Sequence, residues 1–294
     1  MRGEVARARA AIGGREVAKW VERLARLGYL AKGIVYGLVG VLAAQLAFGT
    51  GGEVTGTRGA IREIGEGTFG QLALVLIALG LLGYAAWRLV QGFLDVDGKG
   101  DDAEGLIKRA GYVGSAVIHA SLAFFAASIA LGDGGSGGAG GGGGDRARSM
   151  TAEILSHTGG AWLVGLAGLI TIGVGLYQFY LGYEVEFTRH WKMGEMRPAQ
   201  RTWGVRAGRF GLMARGVVFG LMGVFFLQAA RQSDASEVKG LGGVLAEIAS
   251  QGYGTWLLGI VALGLVAYAV YCFVQARYRY FQVRASGGAP AARP

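Results

Sequence analysis

One cysteine, Cys272, stands among 294 residues. That scarcity excludes an intrachain disulfide and any zinc site built on cysteine. Histidine is almost as sparse, with His119, His157 and His190 the full set. His119 falls inside an apolar run, His157 on one side of the membrane and His190 on the other, so the three cannot converge on a metal. No HExxH stretch, Ser/His/Asp order or Cys/His pair is present. The glycine-rich stretch 132–144 is no phosphate loop, since no Gly-Lys-Ser/Thr follows and no strand precedes it. Basic residues are plentiful, but no aromatic-interleaved nucleic-acid motif accompanies them. The sequence thus points to a non-enzyme that binds neither cofactor, metal nor nucleic acid.

Apolar residues are what the chain has in excess. They make up 52% of it, and the mean hydropathy is +0.39. Six long apolar runs occupy 28–48, 70–94, 111–131, 160–182, 210–230 and 254–276. Each has about the 20 residues needed to cross a hydrocarbon core of about 30 Å. Each must be helical, because an open strand in lipid leaves backbone groups without partners.

A self-similar order runs through these segments. Three times an arginine and a glycine precede an apolar helix, a polar stretch and a second apolar helix. The units begin at Arg26-Leu27-Gly28, Arg109-Ala110-Gly111 and Arg209-Phe210-Gly211. Repeats entering the membrane from one side stack about an axis along its normal. The expected fold is all-α: a polytopic membrane protein with six transmembrane helices in a pseudo-threefold bundle of three helical-hairpin repeats. The repeats are set at 28–94, 109–182 and 209–276. Around them lie an amphipathic lead-in (1–27), a basic aromatic loop (183–208) and a basic tail (277–294) expected to be disordered.

Charge supplies the topology. Residues before Gly28 carry seven Lys/Arg, and 95–109, 183–209 and 277–294 carry three, six and four. The alternate loops, 49–69, 132–159 and 231–253, carry two each. By the positive-inside rule both termini are cytoplasmic. The basic inner face suits anionic headgroups, above all through 183–209, where Phe187, His190, Trp191 and Trp203 accompany six basic residues. The stretches between paired spans contain Glu63-Ile64, Glu153-Ile154 and Glu247-Ile248 at one shared place. They are expected to be short outer helices, interfacial or re-entrant.

Small residues recur at matched places in each first span: Gly33, Gly37 and Gly40; Ala116, Ala120 and Ala123; Gly216, Gly220 and Gly223. Spacings of four and three put each trio on one helix face, where close helix packing is favoured over a glycine-lined pore wall. Ionisable residues inside the spans are functional candidates. His119 lies near mid-membrane, opposite Tyr36 and Phe219 in the sister repeats. Lys32 and Arg215 sit a turn inside the inner boundary, from which long basic chains snorkel. Arg88, beside Gln91, has Asp95 and Asp97 as prospective partners. Its counterparts are Gln178 and Cys272. Gln45 and Gln228 match near the outer ends, and Gln91 and Gln275 near the inner ends. The acidic turn from Asp95 to Glu104 partly resembles a calcium loop, but Lys99 and Leu106 stand where ligands should be.

Three stretches carry a family resemblance. Gly28-Tyr29-x-Ala31-Lys32-Gly33-x-x-Tyr36, Gly83-Tyr84-x-x-Trp87-Arg88-x-x-Gln91-x-x-x-Asp95 and Lys108-Arg109-x-Gly111-Tyr112 resemble the bacterial membrane family called domain of unknown function 1206. The resemblance implies several two-helix copies in one chain, a bacterial inner-membrane location and no established activity. The second repeat departs most, lacking the Ala-Lys-Gly of the first and holding Gln178 in place of arginine. Two functional expectations follow. One is a lipid-organising or partner-docking scaffold, working through its basic inner face on anionic headgroups or a membrane-protein partner. The alternative is a small channel or carrier along the bundle interior, with His119, Tyr36, Gln45 and Gln228 on its path.

Overall fold

The computed structural model describes residues 2–132 and 143–280. Most of the glycine-rich stretch 132–144 and the tail beyond 280 lie outside the described residues. The chain runs α1 (Arg2–Ala47), α2 (Thr57–Glu66), α3 (Gly70–Leu94), α4 (Ala103–Ala130), α5 (Gly143–Leu155), α6 (Gly160–Glu184), α7 (Pro198–Gln232), α8 (Leu241–Ser250) and α9 (Gly254–Tyr278). Among the described residues there is no strand, only an isolated bridge between Trp191 and Arg279. Six helices, α1, α3, α4, α6, α7 and α9, are long and apolar enough to cross a membrane. This is the all-α, six-span architecture expected of the repeat.

Local chemistry ends each helix where the pattern requires. Asp95 and Val185 adopt left-handed conformations (φ 43° and 58°) that stop α3 and α6. Asp102 starts α4 by accepting the Gly105 N–H at 3.1 Å, pairing a donor the first turn leaves free. Pro198 opens α7, where its missing N–H costs nothing. The lead-in is not a separate element: α1 continues without a break into the first span. Val21 and Ala25 pack with Tyr29, Tyr84 and Trp87, while Trp20 stays exposed.

The second span of every repeat opens on a glycine for one steric reason. A Cβ at Gly70, Gly160 or Gly254 would lie 1.9, 1.8 or 2.2 Å from the carbonyl oxygen of Gly65, Ile154 or Ala249. The chain leaving α2, α5 or α8 turns directly onto the helix that follows. These short helices cover the far end of the bundle, opposite the basic loops. Ile61 of α2 and Leu245 of α8 are fully buried there, and Gly56 and Gly242 meet backbone to backbone.

Around the bundle the spans follow the order α4, α3, α1, α9, α7, α6. The strongest contacts join different repeats: α1 with α9, α3 with α4, and α6 with α7. The small residues explain two of them. Gly33, Gly37 and Gly40 face Phe273, Ala269 and Val266 of α9. Gly216 and Gly223 each come within 2.7 Å, at the Cβ position, of the carbonyl oxygens of Gly175 and Gly168 on α6. A Cβ on Gly175 would in turn meet the Gly220 nitrogen at 2.8 Å. On α4, Ala116 and Ala123 are buried and Ala120 half-buried. The two glycine trios thus lie at close helix contacts.

Within repeats the three hairpins are not alike. In the first, Gly28 accommodates Tyr84, and in the third Gly211 accommodates Tyr268; an added Cβ would lie 2.6 and 2.4 Å from their backbones. In the second, Val174 stands where those tyrosines stand, and neither Gly111 nor Gly173 has any neighbour within 4 Å of its Cβ position. The spans α4 and α6 share almost no contact. Helix α6 is held by α7 alone among the spans, and only 22% of its most apolar stretch is buried, against 56% for α1 and α9. The ring is therefore an arc with one open seam.

This difference predicts opposite responses to one substitution. Gly28→Ala and Gly211→Ala should each destabilise by about 1–3 kcal/mol through overpacking. Gly111→Ala should be neutral or slightly stabilising, because an exposed helical glycine gains roughly 0.5–1 kcal/mol on replacement by alanine. Thermal unfolding of the three variants in detergent reads the contrast. An equal loss at position 111 would mean that the second hairpin is closed too.

Candidate functional site

Two polar layers fill the half of the bundle nearer the basic loops. The deeper one is built on three cations. Lys32 of α1 and Arg215 of α7 occupy the same place in repeats one and three, four residues after Gly28 and Gly211; Ser115 stands there in repeat two. Arg88 comes from α3. Lys32 is only 3% exposed, whereas Arg88 and Arg215 are half-buried.

These cations converge on phenols rather than carboxylates. The Tyr84 hydroxyl accepts from Lys32 Nζ at 2.9 Å and from Arg88 Nε and Nη2 at 2.8 and 2.6 Å. Arg88 also donates to Gln91 Oε1 at 3.1 Å and lies 5.0 Å over the Tyr112 ring. Arg215 donates to Gln178 Oε1 at 2.7 Å and to the Tyr268 hydroxyl at 3.1 Å. Its guanidinium is stacked within 5.1 Å of the Tyr36, Phe219 and Tyr268 rings. Tyr36 meets Tyr268 edge-on at 5.1 Å. His119 packs 4.5 Å from the Tyr84 ring, its Nδ1 2.7 Å from the Ser115 carbonyl.

Donors outnumber acceptors in this layer. An ammonium brings three N–H groups and each guanidinium five, facing a few phenol and amide oxygens. The Arg215 Nε is buried with no hydrogen-bond partner. Among the described residues no carboxylate forms an ion pair with Lys32, Arg88 or Arg215. A basic residue at the centre of a spanning helix costs about 2.5–3.5 kcal/mol on insertion scales. Aromatic faces return roughly 0.5–2 kcal/mol per cation but do not neutralise it. Among the described residues the layer thus holds three cations bound to phenols and amides, with no carboxylate ion pair.

The second layer closes the basic end. Asp97, just beyond α3, accepts from Gln91 Nε2 at 2.6 Å, Tyr112 at 3.2 Å and Arg279 Nη2 at 3.2 Å. Both side chains of the Asp97–Arg279 pair are nearly buried, and His190 Nε2 lies 3.8 Å from the carboxylate. Phe187 and Trp191 are buried against Tyr271. Trp191 Nε1 donates to Gln275, which donates to Tyr271. Backbone bonds from Lys192 to Tyr278 and from Tyr280 to His190 fasten this plug to the end of α9. Of the aromatics expected to rest on headgroups, Trp203 is 65% exposed, while Phe187 and Trp191 turn inward.

The sequence candidates thus divide. Lys32, Tyr36, Arg88, Gln91 and His119 come together. Gln45 is exposed and Gln228 half-buried near the far ends of their spans. Asp95 accepts the Lys99 and Gly100 N–H groups in its own turn, and the partner near Arg88 is Asp97, reached through Gln91. The other acids of that turn are occupied as well: Asp101 pairs with Arg109, and Glu104 with Lys108. Tyr84, Tyr268, Gln178 and Arg279 were not singled out as site residues by the sequence. For the two tyrosines a signal existed, since each follows Gly83 or Ala267 at the same place in its repeat.

Together these features define a multi-pass membrane protein with a cation-rich interior. The family model described as Domain of Unknown Function (DUF1206) matches residues 27–95, 110–184 and 210–279. The chain belongs to that family, with three copies in tandem. It is 32% identical over 265 residues to an uncharacterised protein, YxxB, of Bacillus subtilis (strain 168), a match covering 90% of this chain and 94% of that protein. No solved structure matches the chain significantly.

The plug carries a pH dependence. Burial, with the Arg279 charge, holds His190 down at about 4 despite the nearby Asp97. Burial pushes the Asp97 carboxyl up, but Arg279, His190 and the Gln91 bond outweigh it and hold it below the usual value. A histidine depressed on folding contributes stability above its unfolded value, near 6.5, and loses it as pH falls toward 4. Asp97 keeps its contribution until still lower pH. The protection of the 186–196 amides, corrected for the intrinsic pH dependence of exchange, should therefore fall between pH 6.5 and 4, and His190→Gln should flatten that fall. Unchanged protection across this range in the wild type would contradict the assignment.

Proposed function

We propose that this chain is a non-enzymatic protein of the bacterial inner membrane, termini in the cytoplasm, that holds an anionic group inside its bundle. The observation behind this reading is the set of three cations, Lys32, Arg88 and Arg215, gathered around phenols with no carboxylate ion-paired to them among the described residues. Such a layer costs folding energy, and an anion seated between the two arginines would recover it through charge-assisted hydrogen bonds. Arginine suits that task because its planar fork matches phosphate and carboxylate oxygens. The reading moves the working site from the basic cytoplasmic face to the interior, as the carrier alternative required. His119 then serves as a wall of the site against Tyr84, and the Asp97–Arg279 plug as its cytoplasmic floor.

The test compares Lys32→Gln and Arg215→Gln with Arg206→Gln, a change at an exposed arginine near the basic end. Each purified protein is titrated with inorganic phosphate and, separately, with phosphatidylglycerol in mixed micelles. At least one of these anions should bind the wild type and Arg206→Gln alike, and bind the two interior variants at least tenfold more weakly. Equal binding by all four proteins would remove the interior site. A loss confined to Arg206→Gln would return the function to the basic surface.

A further inference from the structure

Resting on that reading, we infer that the anion is the phosphate of an anionic phospholipid, and that it enters sideways from the bilayer through the open seam between α4 and α6. Three independent features of the fold point this way.

The first is closure at both ends. The far end is covered by α2, α5 and α8, with Ile61, Val244 and Leu245 buried beneath them. Below that lid the centre is apolar, filled by Val39, Ala43, Leu258 and Leu265. The basic end is sealed by the Phe187–Trp191 plug and the buried Asp97–Arg279 pair. A water-borne anion would have to displace one of these layers.

The second is the seam itself. Repeats one and three close their hairpins with a tyrosine against a glycine. Repeat two keeps the glycines, Gly111 and Gly173, but has Val174 in place of the tyrosine, and no described residue of another element lies within 4 Å of the Cβ position of either glycine. Gly114, one turn on from Gly111, is also free of neighbours. A path lined by glycine and valine on its outer rim suits an acyl chain or glycerol backbone.

The third is what waits behind the seam. Arg88 is reached past Tyr112 of α4, and Arg215 is held by Gln178 of α6. The two arginines therefore sit behind opposite walls of the same opening, and both retain accessible surface. Arg215 also has its unpartnered Nε. At the rim nearer the basic loops, Lys108 of α4, paired with Glu104, lies 5.9 Å over the Tyr177 ring of α6 and marks the edge of the seam. A phospholipid is the occupant that matches this arrangement, with a charged group that seeks the cations and tails that stay in the bilayer. Small-residue gaps alone would be mere packing defects; the half-buried arginines behind this one make it a binding route.

The experiment uses the full-length chain. Native mass spectrometry follows lipids retained through delipidation from vesicles of equal phosphatidylglycerol and phosphatidylcholine. A phosphatidylglycerol carrying a diazirine near its headgroup maps the contact by photocrosslinking. Phosphatidylglycerol should be retained at least tenfold over phosphatidylcholine, and crosslinks should fall on α4 and α6 around Gly111, Gly114 and Val174. Val174→Tyr, which supplies the missing hairpin lock, should cut retention severalfold. Crosslinking of the wild type needs no variant, so a misfolded Val174→Tyr would not leave the matter open. Crosslinks elsewhere, or equal retention of both lipids, would overturn the lateral route. If inorganic phosphate binds the interior cations while phosphatidylglycerol does not, the anion site stands and the lipid inference falls. If neither binds, both readings fall.

Discussion

Lipid tails are as apolar as leucine, so burying leucine against leucine gives two helices little reason to associate in a bilayer. Close backbone approach has to supply the attraction, and in this protein glycine supplies it. Gly168 and Gly175 meet Gly223 and Gly216 across α6 and α7, and Gly33, Gly37 and Gly40 open α1 to α9. These contacts join one repeat to the next. Contacts inside a repeat depend on a different device, a tyrosine seated on a glycine, and repeat two lacks it. The arc, its open seam and the position of the cations all follow from which of these two devices each seam has.

The interior chemistry is a consequence of that geometry. Helices brought this close leave room for a thin polar layer, and the repeats fill it unequally. Lysine, serine and arginine occupy one matched place, and arginine, glutamine and cysteine another. Perfect threefold use would have placed like charges at every corner. Divergence instead leaves cations toward repeats one and three and neutral donors and acceptors in repeat two, beside the opening. Polarity and access are thus arranged together, with the least charged repeat forming the entrance.

Below this layer the plug has a different balance. Asp97 is a carboxylate just beyond α3, and four groups from four segments converge on it: Gln91, Tyr112, His190 and Arg279. A buried ion pair of this kind contributes little net stability over an apolar filling, yet losing one partner is costly, about 3–5 kcal/mol. It acts as a register pin, tying the 183–197 segment and the end of α9 to the turn after α3. The carboxylate-paired charge of the plug contrasts with the phenol-bound cations one layer deeper.

Much of this was legible in the residues. Hydropathy alone marks six spans, because the length of a hydrocarbon-crossing helix is set by the bilayer. The three repeats, the glycine trios and the shared Gly70, Gly160 and Gly254 follow from matched spacing, since equal steric needs recur at equal places. Lys32, Arg88 and His119 stand out because an ionisable group in lipid is expensive wherever its neighbours lie. What stayed hidden depends on partners far apart in sequence. That Arg88 reaches Asp97 through Gln91 rather than pairing with Asp95, that Arg279 closes the plug, and that Trp191 turns inward were settled by packing between distant segments. The open seam belongs to the same class. The sequence shows valine at 174, but only the assembled bundle reveals that no described residue of another element comes within 4 Å of the Cβ positions of Gly111 and Gly173.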